Sequence, residues 1–349
     1  PGHMLETKNQ LKTAIAKVDA LLEVVDARLP LSSSNPFLER IATGKNRIKI
    51  LNKADIADPE TTQTWLEHFN RDIKLPAAAI CGTRLQEASH ALQSLVAQVD
   101  RNKARKIKVM VVGIPNTGKS TILNTLAGRK VAKTGNVPAV TRHQQRTSLK
   151  DNIDIYDTPG ILWPVIEPRQ RGLILAMSGA ISDTAVDYHE IAYFAAQLLL
   201  ARYPAGLVAR YPFLNPLPEA PQALIESVGN ARGCLKKGGH VDFQKASELI
   251  IRDLRSGRLG RISFERPKDI TQTMTQINKL RHSLRAILVV AIFFHLAALC
   301  HAQIAELTFQ NEQAQQCIAI VNALERNHFT GKKLDKNMSV RVFDRYIKS

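Results

Sequence analysis

Along residues 1–178 short apolar runs alternate with stretches whose apolar residues recur at helical spacing, the pattern of a parallel sheet covered by helices. The runs at 21–26, 47–51, 77–80, 107–112 and 153–157 predict strands. Residues 59–71 and 86–101 predict helices between them, and 119–126 predicts a helix directly after a glycine-rich turn. Beyond 179 the strand pattern disappears. Residues 189–203, 221–230 and 243–255 read as helices, and the proline-rich YPFLNPLPEAP between the first two marks a bend. The expected organisation is an α/β domain over 1–178, a helical domain over 179–266 and an extension over 267–349, whose stretches 271–310 and 312–327 read as helices.

The strongest local signal is Gly113-Ile114-Pro115-Asn116-Thr117-Gly118-Lys119-Ser120, followed by Thr121, between a predicted strand and a predicted helix. Glycines let backbone wrap closely around phosphate, amide N–H groups point inward, and the helix adds the positive end of its dipole. Asn116, Thr117, Gly118 and Thr121 belong to this cradle; Lys119 is expected to reach the β- and γ-phosphates and Ser120 to offer its hydroxyl to Mg²⁺. A second motif, Asp157-Thr158-Pro159-Gly160, follows the strand 153–157. Alone it reads equally well as a turn, but behind a phosphate loop it gives Asp157 a role at Mg²⁺ and sets the Gly160 N–H toward the γ-phosphate.

Asn52-Lys53-Ala54-Asp55 addresses the base. A carboxylate at Asp55 can accept from the N1–H and the 2-amino group of guanine, and adenine lacks that donor pair. GTP and GDP are therefore expected over adenine nucleotides, with Asn52 positioning the ring and the Lys53 stem lying along it. Cys81-Gly82-Thr83 stands where a second base-contacting loop is expected, which nominates Gly82 and Thr83. Thr141, between the phosphate loop and DTPG, is nominated by position for Mg²⁺ and the γ-phosphate, and with Lys119 forms the candidate catalytic set.

The order is unusual. Small GTPases place the phosphate loop first and the base motif last, whereas here the base motif begins at 52 and the phosphate loop at 113, so the domain reads as circularly permuted. With PGHM at 1–4, DARLP at 26–30, KTGNVPAVTRHQQ at 133–145, DTPGILWP at 157–164 and RSGRLGRISFE at 255–265, the chain resembles the circularly permuted ribosome-assembly GTPases. The resemblance is nearest to the ribosome biogenesis GTPase A family and spans roughly 1–266.

It implies GTP hydrolysis in late maturation of the large ribosomal subunit, stimulated by ribosomal particles, with the helical domain helping to bind rRNA. It further implies that His3 orients the attacking water, because Ile161 occupies the position where Ras-like enzymes carry glutamine; otherwise His3 is a frayed terminal residue. By the same resemblance Asn116 helps hold K⁺ against the phosphates, the alternative being support of the loop backbone. Ala139, where the family usually has glycine, the Cys81-Gly82 pair and the extension 267–349 depart from the pattern.

Charge and cysteines add limits. The 349 residues carry 48 Lys+Arg against 31 Asp+Glu, a net +17, which suits a polyanionic partner. With the resemblance, the expected partners are large-subunit precursor and rRNA, with no DNA and no membrane. Two other readings remain open: a small-subunit assembly GTPase, and a nucleotide-gated rRNA-binding module whose hydrolysis is incidental. Four scattered cysteines without a C-x-x-C pair suit a reducing compartment, and no secretory leader pattern opens the chain, so a cytoplasmic location is expected. The apolar run 286–300 is shorter than the roughly 18–20 residues a bilayer span requires and reads as a buried or oligomer-forming helix.

Overall fold

The computed structural model describes residues 11–99, 106–132, 145–149, 151–158, 166, 168–182 and 187–269. All belong to the first of two compact units, Pro1–Met274; the second, Thr275–Ser349, lies outside them. The predicted helices 271–310 and 312–327 and the apolar run 286–300 therefore fall outside the described residues. No single helix among the described residues is long and apolar enough to cross a membrane.

The strands β1 (Ala20–Asp26), β2 (Asn46–Asn52), β3 (Ala77–Ile80), β4 (Ile107–Val112), β5 (Gln145–Ser148) and β6 (Ile153–Asp157) form one sheet in the order β3-β2-β1-β4-β6-β5. β5 runs antiparallel to β6 and the other pairings are parallel. Every residue of β1 is buried, as the position between β2 and β4 requires. Buried Glu23 pairs in register with Lys49 of β2, Nζ to Oε1 2.9 Å, so the charge in the middle of this strand is met by its neighbour.

Residues alternate between the two faces of the sheet. Leu22, Val24, Ile50, Val109 and Val111 pack with Leu92 and Leu95 of α3 (Leu85–Val96) and Ile122 of α4 (Lys119–Ala127). On the other face Leu21, Met110 and Val112 meet Leu38 of α1 (Pro36–Ile41), while Val25 and Leu51 meet Trp65 of α2 (Pro59–Glu67) and Phe69. Asn35 and Asp58 cap α1 and α2 through side-chain oxygens, each followed by proline at the first helical position.

The helices α5 (Arg169–Ser178), α6 (Tyr188–Arg202), α7 (Pro204–Arg210), α8 (Pro221–Ala231) and α9 (Phe243–Arg255) share a core. It also contains Leu29, from the loop after β1, and Ile114 of the phosphate loop, so this core reaches the end of the sheet where the motifs lie. After α9 the chain returns to that end: Phe264 N–H donates to Arg28 O at 2.7 Å and Trp65 Nε1 to Glu265 O at 3.2 Å.

Several boundaries differ from the sequence pattern. The helix expected over 59–71 turns into a π-helical turn, His68–Asp72, and the one expected to reach 101 ends at Val96, where the Ala97 N–H closes onto Gln93 O. β5 is a polar QRTS segment with no apolar run to reveal it; its edge position makes that composition tolerable. α1 and α7 are too short, and α5 too weakly periodic, to show as helices in the sequence pattern.

Candidate functional site

The site lies where the C-terminal ends of β1, β2, β3, β4 and β6 converge. β4 delivers Gly113, at φ 148° and packed so tightly that an added Cβ would sit 2.3 Å from Val24 O. The loop then takes Asn116 through φ 60° and Gly118 through φ 93° before α4 begins. No side chain caps this helix, which leaves its first amides available to an anion.

Asn52, at the end of β2, joins two loops. Its Nδ2 donates to Thr117 O at 2.7 Å and its Oδ1 accepts from Gly82 N–H at 2.8 Å. The neighbouring Lys53, held at φ 63°, donates from Nζ to Asn116 O at 2.7 Å and to Asp26 Oδ2 at 2.8 Å. The base motif and the phosphate loop are thus one bonded assembly. Asp55 projects beside it, exposed, with no hydrogen bond or ion pair among the described residues, so both carboxylate oxygens can accept from a ligand.

Under the loop, Lys119 is buried and donates from Nζ to Ile114 O at 2.6 Å. Burial pulls its ammonium down to about 8, against the opposing charge of Asp157. Asp157 is itself raised by burial, with Lys119 offsetting part of the effect. Ser120 Oγ stands 3.4 Å from Asp157 Oδ2, and Asp157 Oδ1 is buried with no hydrogen-bond partner. A hydroxyl beside an unsatisfied carboxylate oxygen is a fitting donor set for Mg²⁺, which takes few protein ligands and completes its shell with water and phosphate. Bound there, the ion would neutralise charge on the β- and γ-phosphates. No group of three or more His, Cys, Asp or Glu that could hold a metal occurs among the described residues.

Of the other nominated residues, Thr83 Oγ1 lies 3.1 Å from Cys81 Sγ and makes no bond to the phosphate loop, while Thr121 follows Ser120 in the first turn of α4. Asn116 Nδ2 donates to Gly179 O at 2.6 Å, just past the end of α5. His3, Thr141 and Gly160 lie outside the described residues.

Two supports have no role assigned by the sequence, although the first opens the DARLP segment at 26–30. Asp26, ending β1, receives Lys53 and is clamped by Arg28 through Nε at 3.0 Å and Nη2 at 2.8 Å. Burial alone would raise its carboxyl, yet the charges of Arg28 and Lys53 outweigh it and hold the group well below the usual carboxylate range. The signal is a carboxylate that closes β1 at the ligand end of a parallel sheet. Glu87 reaches back from α3 to accept from Cys81 N–H at 2.6 Å and fixes the Cys81-Gly82-Thr83 turn.

A mostly parallel sheet whose phosphate loop, Mg²⁺-type carboxylate and guanine-type tetrad meet at one end, in permuted chain order, defines a P-loop GTPase. A family model described as 50S ribosome-binding GTPase matches residues 108–193. Ribosome biogenesis GTPase A of Bacillus cereus is 40% identical over 288 residues, covering 80% of this chain and 97% of the relative, and the Thermotoga maritima protein of the same name is 33% identical, covering 78% and 95%. A GDP-bound YlqF structure superposes with TM-score 0.55 at 30% identity, covering 74% of this chain and 99% of that one. A GNP-bound YlqF structure from T. maritima gives 0.54 at 29%, covering 75% and 98%. The chain belongs to the ribosome biogenesis GTPase A family, and it is a GTP-hydrolysing enzyme.

Proposed function

We propose that this GTPase acts in late assembly of the large ribosomal subunit, binding subunit precursor and rRNA and hydrolysing GTP faster on those particles than alone. The observation that carries the reading is the Asn52 bridge, which ties Gly82 and Thr117 into a single pocket able to sense base and phosphate together. In this reading Asn52, Lys53, Asp55, Gly82 and Thr83 serve the base, Asn116 to Thr121 and Gly160 wrap the phosphates, and Ser120, Thr141 and Asp157 serve Mg²⁺. Lys119 and Thr141 stabilise charge developing on the γ-phosphate, His3 orients the attacking water, and Asn116 is the contact for K⁺.

The division at 178 and 266 into GTPase domain, rRNA-binding helical domain and extension belongs to the same proposal, as does action in the cytoplasm. GTP favours association with the particle and hydrolysis releases the protein. Net +17 supports a partner rich in phosphate, with binding that weakens steeply as salt rises. The test is single-turnover GTP hydrolysis by the parent and His3→Ala, in K⁺ and in Na⁺, with large-subunit precursors, small-subunit precursors or no particle. Stimulation confined to large-subunit particles, reduced in Na⁺ and lost in His3→Ala, is expected. Equal rates with and without particles would remove the assembly role, and stimulation by small-subunit particles alone would reassign it.

A further inference from the structure

The loop that presents Asp55 is held from two sides. On the sheet side the Ala54 N–H donates to Ile80 O at 3.1 Å, and Lys53 is fixed as described. The other side is supplied by the segment after α9, more than 190 residues downstream in sequence, as the separations of about 204 and 207 residues for its Arg261 bonds show. Arg261 donates from Nε to Ala57 O and from Nη2 to Ala54 O, both at 2.9 Å. Ile262 N–H donates to Ile56 O at 3.0 Å, and Ser263 Oγ accepts from Asp58 N–H at 3.1 Å. Gly257, at φ 74°, lies so close that an added Cβ would stand 2.6 Å from Ile56 Cγ2.

The bonded carbonyls flank Asp55 on both sides, at Ala54 and at Ile56 and Ala57, and leave its carboxylate outside the network. A carboxylate that accepts two hydrogen bonds from one planar ring edge must have its backbone fixed in advance, because a mobile loop would lose ordering entropy on each binding event. The planar guanidinium of Arg261 spans two carbonyls at once and lysine cannot reproduce that fork.

We infer that Arg261, with Ile262 and Ser263, is a positioning element for guanine selectivity: it sets the Ala54–Asp58 backbone so that Asp55 meets the 2-amino group of the base. This deepens the proposed function and rests on its assignment of Asp55 to the base. Arg261 is itself exposed, so its removal leaves the packed core untouched.

The experiment compares GDP with inosine diphosphate, which keeps N1–H and lacks the 2-amino group, in fluorescence displacement titrations of the full chain. For Arg261→Ala the expected result is about tenfold weaker GDP binding with a clearly smaller loss for inosine diphosphate, which has only the N1–H contact to lose, so that selectivity narrows. Ser263→Ala and Arg261→Lys should show the same trend at smaller amplitude, and they serve if Arg261→Ala fails to fold. A role in general stability would weaken both nucleotides in parallel; that outcome, or unchanged selectivity in all three variants, overturns the inference. Asp55→Ala separates it from the underlying reading: selectivity lost there but intact in the Arg261 and Ser263 variants sinks the positioning role alone. Selectivity intact in Asp55→Ala sinks both.

Discussion

The amide of Asn52 fills the space that a side chain on Gly118 would need, with Nδ2 2.2 Å from the position of an added Cβ. The same amide leaves 2.7 Å between its Oδ1 and a Cβ on Gly82, so each of the two loops it joins requires glycine at the junction. Gly118→Ala must displace Asn52 while adopting a left-handed conformation that costs an L-residue about 1–2 kcal/mol. With the lost hydrogen bonds added, GDP binding should weaken by at least about 2 kcal/mol, roughly 30-fold. Calorimetric titration of GDP into the variant checks this, and affinity within threefold of the parent would contradict it.

Lys119 should make nucleotide binding pH-dependent. Its ammonium sits at about 8 when folded, against about 10.4 for an unfolded lysine. The lowered value is a penalty on the nucleotide-free fold: it is full below about pH 8, where both states carry the proton, and it fades as pH rises toward 10.4. Phosphate oxygens favour the charged form, so GDP binding above pH 8 should take up a proton, by as much as about one per site. Binding heats at pH 8.5 in two buffers of different ionisation enthalpy measure this uptake. It should be absent in Lys119→Arg, and buffer-independent heats in the parent would show that Lys119 does not titrate there.

Asp157 places a charge where the nucleotide-free protein does not want one, since burial raises its carboxyl despite the nearby Lys119. A group raised on folding opposes stability above its folded value and ceases to do so once protonated, so this contribution improves as pH falls. Asp157→Asn should therefore raise the melting temperature of the nucleotide-free protein at pH 7 while removing the Mg²⁺ enhancement of GTP affinity. Thermal scans paired with GTP titrations in Mg²⁺ and in EDTA report both effects. A variant less stable than the parent yet still responsive to Mg²⁺ would contradict both halves.

Arg28 is buried beside Asp26, donates through Nη1 to Leu254 O at 3.4 Å and stands 5.2 Å from the ring centroid of Phe264. Arg28→Met should cost about 3–5 kcal/mol in urea unfolding, because it strips a partner from a buried carboxylate. Asp26→Leu combined with Arg28→Met should cost less than the sum of the single changes. Because Asp26 is depressed on folding, its stabilising contribution is complete above the unfolded value of about 3.9 and is lost as pH falls below it. Asp26→Asn should flatten that part of the acid-unfolding profile.

The site is most legible in the sequence where function constrains adjacent residues. Glycines 113 and 118 and Lys119 announce a phosphate loop because its chemistry is written in eight successive positions, and β3, β4 and β6 stand at the bounds their apolar runs predict. β5 escaped because an edge strand needs no apolar face, and α5 because its amphipathic pattern is weak. Parts of the site built by tertiary contact were harder to see. Glu87 stands six residues from Cys81, within reach of a careful reading, but Arg28 meets Leu254 across 226 residues and Arg261 meets Ala54 across 207. Pairing at such separations leaves no local pattern.

The return segment also orders events during translation. The tetrad at 52–55 leaves the ribosome early and the phosphate loop follows about sixty residues later, yet the carbonyls of Ala54, Ile56 and Ala57 find their partners only in Arg261 and Ile262. A nascent chain carrying the tetrad, the phosphate loop and DTPG would still lack these bonds around Asp55 until that late stretch emerges. Premature termination before residue 261 would leave the carbonyls of Ala54, Ile56 and Ala57 without these partners on the loop that presents Asp55.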